Sequence, residues 1–338
     1  SCCLQQEIVK HFGAMQAQDY AMAKWAIGSR CNSSEKEIEE VINSGKIIRT
    51  HILRPTWHFV SADDIYWMLE VSAPQIKKLA ISGAKKFGVD EKKLSEINNT
   101  IEKLLSGNNH LTRDEIMQEL NIKKTSKEDF LGAAIMMNAE LDGLVCNGKM
   151  KGKQITYALL EERVPKPKTK LSKEEALAKL TQRYFESHGP ATVSDFSWWS
   201  GFPPTICQKT INAIELQLNH ITIDNQQYWF KKDCLNADSF RESVHFLPAF
   251  DEILISYKTR EASFNTEHQS KVFTNNGIFK PIILENGKVI GIWKRTVKKD
   301  HVKIETEFFK ETESSKKEIL FEGIKTFETY LGTKVVIV

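Results

Sequence analysis

One pattern recurs three times along the chain: two or three short amphipathic helices, then two strands about a tight turn. In the first occurrence Ser34 to Glu37 forms a capping box ahead of Ile38, Val41 and Ile42, which share one helical face. The helix is predicted to end near Ser44, stopped by Gly45. Lys46 to Val60 then reads as two strands folded about Arg54-Pro55, because proline cannot serve a central strand. The second occurrence has a helical stretch from Leu94 to Leu105, closed by Gly107 and Asn108, and a second capping box from Thr112 to Glu115. A helix over about Lys127 to Leu141 leads into strands Leu144 to Asn147 and Gln154 to Leu160, joined by the tip Gly148 to Lys153.

The third follows Val164-Pro165-Lys166-Pro167-Lys168, a stiff basic stretch that reads as a domain boundary. Ser172 to Glu175 caps a helix bearing Leu177, Leu180 and Tyr184. Thr192 to Ser200 and Pro203 to Gln217 are predicted as helices, and Ile221 to Phe230 as a hairpin turning at Asp224-Asn225. Beyond Cys234 strands dominate: a hairpin from Ile282 to Trp293 about Asn286-Gly287 and an alternating run from Val302 to Phe309. A helix from about Ser315 to Tyr330 and a strand from Val335 to Val338 complete a separate α+β cap.

Helix, helix, helix, hairpin is the order of a winged helix. The expected fold class is therefore α+β, with three tandem winged-helix units followed by a β-rich C-terminal element with a terminal helix. The boundaries are 1–62 for the first unit, 63–163 for a helical connection and the second, 171–233 for the third, and 234–338 for the cap. A chain of 338 residues agrees with several domains, since single cores stop growing near roughly 250 to 300 residues.

Composition narrows the function classes. An apolar share of 41% and a charged share of 27% mark an ordinary globular protein rather than a disordered or membrane one. The net charge of +3 is too small to identify a polyanionic partner, so any nucleic-acid site must be local. Six cysteines without a CxxC pair argue against a zinc ribbon or a disulfide framework and fit a reducing compartment. With no apolar run near the roughly 20 residues that span a bilayer and no leader pattern, a cytoplasmic location without membrane contact is expected. No metal cluster or glycine-rich phosphate loop stands out, so neither a metal nor a small-molecule cofactor is expected.

The second hairpin is where charge concentrates. Residues 147–173 hold eight Lys or Arg (Lys149, Lys151, Lys153, Arg163, Lys166, Lys168, Lys170, Lys173) against Glu161 and Glu162, a local excess of +6. Taken alone such a run suits a solvated loop. On a glycine-flanked hairpin after a recognition-type helix it suits DNA phosphate equally. Trp57, Phe59 and Trp229 alternate along strands and are expected to pack in cores, although such rings can also stack on unpaired bases.

Near the N-terminus, Met15-Gln16-Ala17-Gln18-Asp19-Tyr20 precedes a helix through Trp25 to Gly28, with Asp19 as its N-cap. If Gln16 to Gln18 is extended, the two amides share a face beside a helix start and can together hold a water molecule. Alternatively both bond neighbouring backbone in a turn.

This run, with Arg30, resembles the AlkZ/YcaQ family. So do the hairpin Arg49 to His58, His188-Gly189-Pro190-Ala191-Thr192, Trp198-Trp199-Ser200-Gly201, Leu247-Pro248-Ala249-Phe250-Asp251 and Gly287 to Arg295. The likeness covers nearly the whole chain. It implies a bacterial DNA glycosylase with three winged helices around a concave DNA-binding face. The family's catalytic Gln-x-Gln motif falls on Gln16 and Gln18, whereas a sister branch has Asp at the second position. Tyr20 departs from the family pattern, in which a proline often follows the aspartate.

Amides suffice for a restricted chemistry. A glutamine cannot take a proton, but a purine alkylated on ring nitrogen seven is a cation that leaves without a general acid. What remains is to position water and to present carbonyl dipoles to the sugar. The expected activity is thus monofunctional hydrolysis of the N-glycosidic bond of alkylated purines in double-stranded DNA; the family resemblance implies that it extends to interstrand crosslinks and serves base excision repair.

Asp19, Arg49, His51, Thr56, His58 and Asp251 are candidates for lining the cleft. Alternation puts Arg49 with His51, and Thr56 with His58, on common faces of their strands. For the histidines, an exposed polar hairpin face is an equal reading, and for Asp251 a structural carboxylate is the preferred one. Arg54, Lys149, Lys151, Lys153, Lys166, Lys168, Lys294 and Arg295 are the expected DNA contacts. The competing functions are a non-catalytic winged-helix DNA-binding regulator, which has no need of Gln-x-Gln, and a scaffold for protein partners.

Overall fold

The structure is a computed structural model that describes residues 4–122, 125–232, 242–310 and 317–338. Cys2, Cys3, Cys234, the 233/234 boundary and the expected helix start at Ser315 lie outside these residues. In chain order come α1 (Leu4–Phe12), β1 (Ala14–Gln16), α2 (Tyr20–Cys31), α3 (Glu35–Asn43), β2 (Ile47–Ile52), β3 (Arg54–Ser61) and the long α4 (Ile65–Lys85). Next are α5 (Glu91–Leu105), β4 (Leu111–Thr112), α6 (Arg113–Glu119), α7 (Ser126–Leu141), β5 (Val145–Asn147), β6 (Thr156–Leu159) and α8 (Leu160–Arg163). They are followed by α9 (Lys173–His188), α10 (Val193–Ser200), α11 (Pro204–Ile214), β7 (Leu218–Ile223) and β8 (Gln226–Lys231). The last are β9 (Val244–Leu247), α12 (Glu252–Ile255), α13 (Gln269–Val272), β10 (Ile282–Glu285), β11 (Lys288–Val297), β12 (Val302–Phe308), α14 (Lys317–Leu331) and β13 (Val335–Ile337). The fold is a mixed α+β one.

The repeated order has a topological signature. In the second copy the short strand β4 pairs with β6 rather than β5, giving the sheet order β4-β6-β5. In the third, Ala191 bridges Trp229 of β8, so the residue between the first two helices again meets the second strand of the hairpin. Both capping boxes at Thr112 and Thr192 are formed reciprocally, and Ser34 with Glu37 makes the same exchange. Asp224 and Asn225 both have positive φ, as the two-residue turn of a hairpin requires.

The structure departs from one local expectation. The first hairpin turns at Leu53, which has a φ of 61°, and not at Arg54-Pro55. Pro55 instead sits in β3 where the register slips between His51 and Ile52, so its missing N–H removes no ladder bond. The helical connection is one helix of 21 residues, α4, which continues through Pro74.

The chain divides into two units, Glu40–Leu180 and Ser1–Glu39 with Thr181–Val338. The first buries a core built from α5, α6, α7 and the β5–β6 hairpin, including Leu94, Ile101, Ile116, Ile135 and Val145. In the second, the five-stranded sheet β13-β12-β11-β10-β9 carries α14 and α2. Trp25 of α2 lies 4.9 Å from Phe327, which lies 5.2 Å from Trp293 of β11. Their indole N–H groups donate to the carbonyls of Phe246 and Leu247. One aromatic core thus joins α2 to the C-terminal sheet.

Candidate active site

Gln16 ends a strand that the chain enters through a turn. Gly13, with a φ of +77°, closes α1, and Ala14, Met15 and Ala17 are fully buried. These small and apolar residues draw β1 into the core and carry Gln16 with them. Its side chain is only 6% exposed, and its carbonyl Oε1 is buried with no hydrogen-bond partner. An unmet acceptor in such a place costs about 1–3 kcal/mol and invites a ligand or water. Asp19 is the N-cap of α2, accepting the Met22 N–H at 3.1 Å. The expected sharing of a face fails because the strand stops at Gln16: Gln18 lies in the bend before α2 and is exposed.

Behind Gln16 stands a residue that the sequence did not mark. Glu252, 3% exposed, accepts the Gln16 backbone N–H at 2.7 Å through Oε1 and the Ser256 hydroxyl through Oε2. His188 Nε2 is 3.7 Å from Oε2, an ion-pair distance that is too long for a hydrogen bond. The His188 ring stacks on Tyr184 at 4.7 Å, and its carbonyl accepts the Tyr257 hydroxyl. Burial alone would raise the Glu252 pKa, but His188, Ser256 and the Gln16 N–H outweigh it and hold the carboxyl down to about 2. Only the Asp251-Glu252 pair after Leu247-Pro248 hinted at it, and a buried acid cannot be told from an exposed one by spacing.

Stability should follow the charge on this carboxyl. The folded carboxyl takes its proton near pH 2, whereas the unfolded one takes it near 4.5. Ionised Glu252 therefore stabilises the fold above about pH 4.5, and this contribution disappears as pH falls towards 2. Urea unfolding between pH 5 and pH 3 is expected to show a steeper fall for the wild type than for Glu252→Gln.

Asp251 lies next to this carboxylate and is occupied. Its Oδ1 and Oδ2 accept from Nη2 and Nη1 of Arg30 at 2.8 and 3.0 Å, and Oδ1 also accepts the Ile253 N–H at the start of α12. The pair ties α12 to α2.

The hairpin candidates lie in the other unit. The β2–β3 register pairs Arg49 with Phe59, Thr50 with His58, and His51 with Trp57, so Arg49 and His51 occupy the face opposite His58. An exposed polar face is not what forms: His51 is 6% exposed and His58 fully buried. His51 Nδ1 contacts Oε2 of the buried Glu140 on α7, and Trp57 Nε1–H donates to its Oε1 at 3.3 Å. Arg49 lies over the Trp57 ring at 4.4 Å. Thr56 is half-buried, and its carbonyl stands 3.0 Å from His58 Nδ1. Phe59 and Trp229 pack in cores as expected, whereas Trp57 is half-buried.

Lys149, Lys151 and Lys153 are all exposed on the β5–β6 loop, and Lys166 and Lys168 on the stretch after α8. Lys151 pairs with Glu115, Lys166 with Glu161 and Lys294 with Glu305. Such exposed pairs contribute little and leave the ammonium groups free to exchange partners. Arg54 is half-buried at the hairpin tip, and Arg295 is half-buried over Phe327 at 5.8 Å. Among the described residues no group of three or more His, Cys, Asp or Glu is placed to hold a metal, and no helix is long and apolar enough to cross a membrane.

The chain resembles known proteins over most of its length. The chain is 22% identical over 308 residues to an interstrand DNA cross-link repair glycosylase of Streptomyces sahachiroi, covering 85% of this chain and 81% of that protein. The solved structure of Streptomyces sahachiroi DNA glycosylase AlkZ superposes with a TM-score of 0.79 at 19% identity, over 100% of this chain and 94% of that one. It shares the fold. The family model described as DNA glycosylase AlkZ-like matches residues 9–323, and the chain belongs to that family of DNA glycosylases.

Proposed function

We propose that the protein is a monofunctional glycosylase that hydrolyses the N-glycosidic bond of alkylated, cationic purines in double-stranded DNA, including those in interstrand crosslinks, with water held by Gln16 and Gln18. The observation that carries this reading is the buried, unpartnered Oε1 of Gln16. Departure of an already cationic base needs no acid. The developing charge lies on the sugar, where a fixed carbonyl dipole in a dry site is worth far more than in water. The same carbonyl can accept a hydrogen bond from the attacking water and hold it at the anomeric carbon. Gln18, exposed two residues further along the chain, supplies the second amide on the solvent side.

The repeated order of helices and hairpins supports three winged-helix units, with boundaries near those read from sequence. Their hairpins meet the DNA backbone, and Lys149, Lys151 and Lys153 bind phosphate. Replacing all three by Ala is expected to weaken DNA binding uniformly across sequences. The slope of log K against log salt should fall in magnitude by about 2 to 3, since each neutralised phosphate adds about 0.9 to it. Fluorescence anisotropy at several salt concentrations measures this, and an unchanged slope removes the loop from the interface.

The decisive assay scores abasic sites in a duplex with a single 7-methylguanine, and strand separation of a crosslinked duplex on a denaturing gel. Base release from the first and unhooking of the second are expected. A protein that binds both duplexes and releases no base is a regulator, not an enzyme.

A further inference from the structure

We propose that Glu252 is a positioning residue for Gln16, holding it through the main chain so that its side-chain carbonyl is fixed towards the reaction. This rests on the catalytic reading of Gln16. The contact spans 236 residues of sequence and is direct, from the Gln16 N–H to Glu252 Oε1 at 2.7 Å. The other carboxylate oxygen is taken by the Ser256 hydroxyl, so the group cannot swing away from the strand.

The short helix that carries it is pinned on several sides. Arg30 grips Asp251 at its start. The Trp198 indole donates to the Ile255 carbonyl at 3.0 Å, and the Tyr184 hydroxyl donates to the Ser256 carbonyl at 3.0 Å. β1 stops at Gln16, and the carboxylate restrains this last strand residue through its main-chain N–H. Because it is ionised, the bond to the amide is charge-assisted and shorter than a neutral one.

The test measures single-turnover release of 7-methylguanine, together with duplex affinity and thermal midpoint, in wild type, Glu252→Gln, Gln16→Ala and the double variant. Glu252→Gln keeps an acceptor of the same shape and loses the charge. Its rate is expected to fall about tenfold with duplex affinity unchanged, the difference between a charged and a neutral hydrogen bond. The double variant is expected to be no slower than Gln16→Ala, because a residue that acts through Gln16 has nothing to act on once it is gone.

Multiplying losses in the double variant would overturn the proposal, since Glu252 would then act independently of Gln16. A wild-type rate for Glu252→Gln beside a slow Gln16→Ala would overturn it as well and leave the Gln16 assignment intact. A wild-type rate for Gln16→Ala removes the catalytic reading itself, and the positioning role with it. Should Glu252→Gln fail to fold, Ser256→Ala removes only the donor to Oε2. A loss of rate of about threefold or more at unchanged affinity supports the proposal, because the carboxylate then loses the bond that holds its second oxygen, and a wild-type rate overturns it.

Discussion

Gln16→Ala is expected to lower the single-turnover release of 7-methylguanine from duplex DNA by about 100-fold to 1,000-fold, the range seen when one preorganised polar group is removed from an active site. Duplex affinity should stay within about twofold, because binding energy comes mainly from phosphate contacts elsewhere. The fold should tolerate the change. Truncation opens a small cavity but also removes a buried acceptor that lacks a partner, and the two effects oppose each other. Gln18→Ala is expected to lose less, since an exposed amide competes with bulk water for the same role. Quench-flow or manual time courses at saturating enzyme, with anisotropy for affinity, separate the two quantities. Equal rates for wild type and Gln16→Ala would remove the catalytic assignment.

Arg30→Ala is expected to destabilise the protein by about 3–5 kcal/mol, the usual cost of removing one partner of a buried ion pair. The Asp251 side chain is 1% exposed and is bonded by both guanidinium nitrogens at 2.8 and 3.0 Å, so the change leaves a buried carboxylate uncompensated. Burial would lower the Arg30 pKa, but the neighbouring Asp251 raises it, so the arginine stays charged in every accessible condition. Removing both charges together, as Arg30→Met with Asp251→Asn, should restore much of the loss. Urea denaturation of the wild type and these two variants checks this. A single-variant loss below about 1 kcal/mol would mean that water replaces the arginine, as it does at surface pairs. Because α12 carries Glu252 directly after Asp251, the same variant is expected to slow base release before it unfolds.

Local structure was readable to the extent that its causes are local. The caps at Ser34, Thr112 and Ser172 announced helix starts because the exchange of bonds spans only four residues. Asp19 was legible as an N-cap and Asp224-Asn225 as a turn for the same reason. The hairpin at Leu53 was misplaced by one residue, because proline was read as the turn when it lay in a bulge beside it. Strand β4, two residues long, carries too little pattern to be seen.

At the candidate site the division is sharper. Gln16, Gln18 and Asp19 stand together in the sequence, and their residue types already limit the chemistry to what neutral amides and one capping carboxylate can do. That Gln16 is buried with an unmet carbonyl and Gln18 exposed depends on where β1 ends, which is a packing outcome. His51 and His58 look alike by alternation, yet the register sends them to opposite faces, and the carboxylate that His51 meets comes from a helix 89 residues away.

What the amino-acid order determined by itself was the thrice-repeated helix and hairpin grammar, the caps and turns that bound it, and the Gln-x-Gln run with its family likeness. Each of these arises from bonds between near neighbours in the chain. Only the tertiary structure decided that Glu252 stands behind Gln16, that Arg30 neutralises Asp251 and that Trp25 shares a core with Trp293 and Phe327. Those contacts join residues more than 200 positions apart, and burial and charge compensation at that distance depend on how whole elements pack.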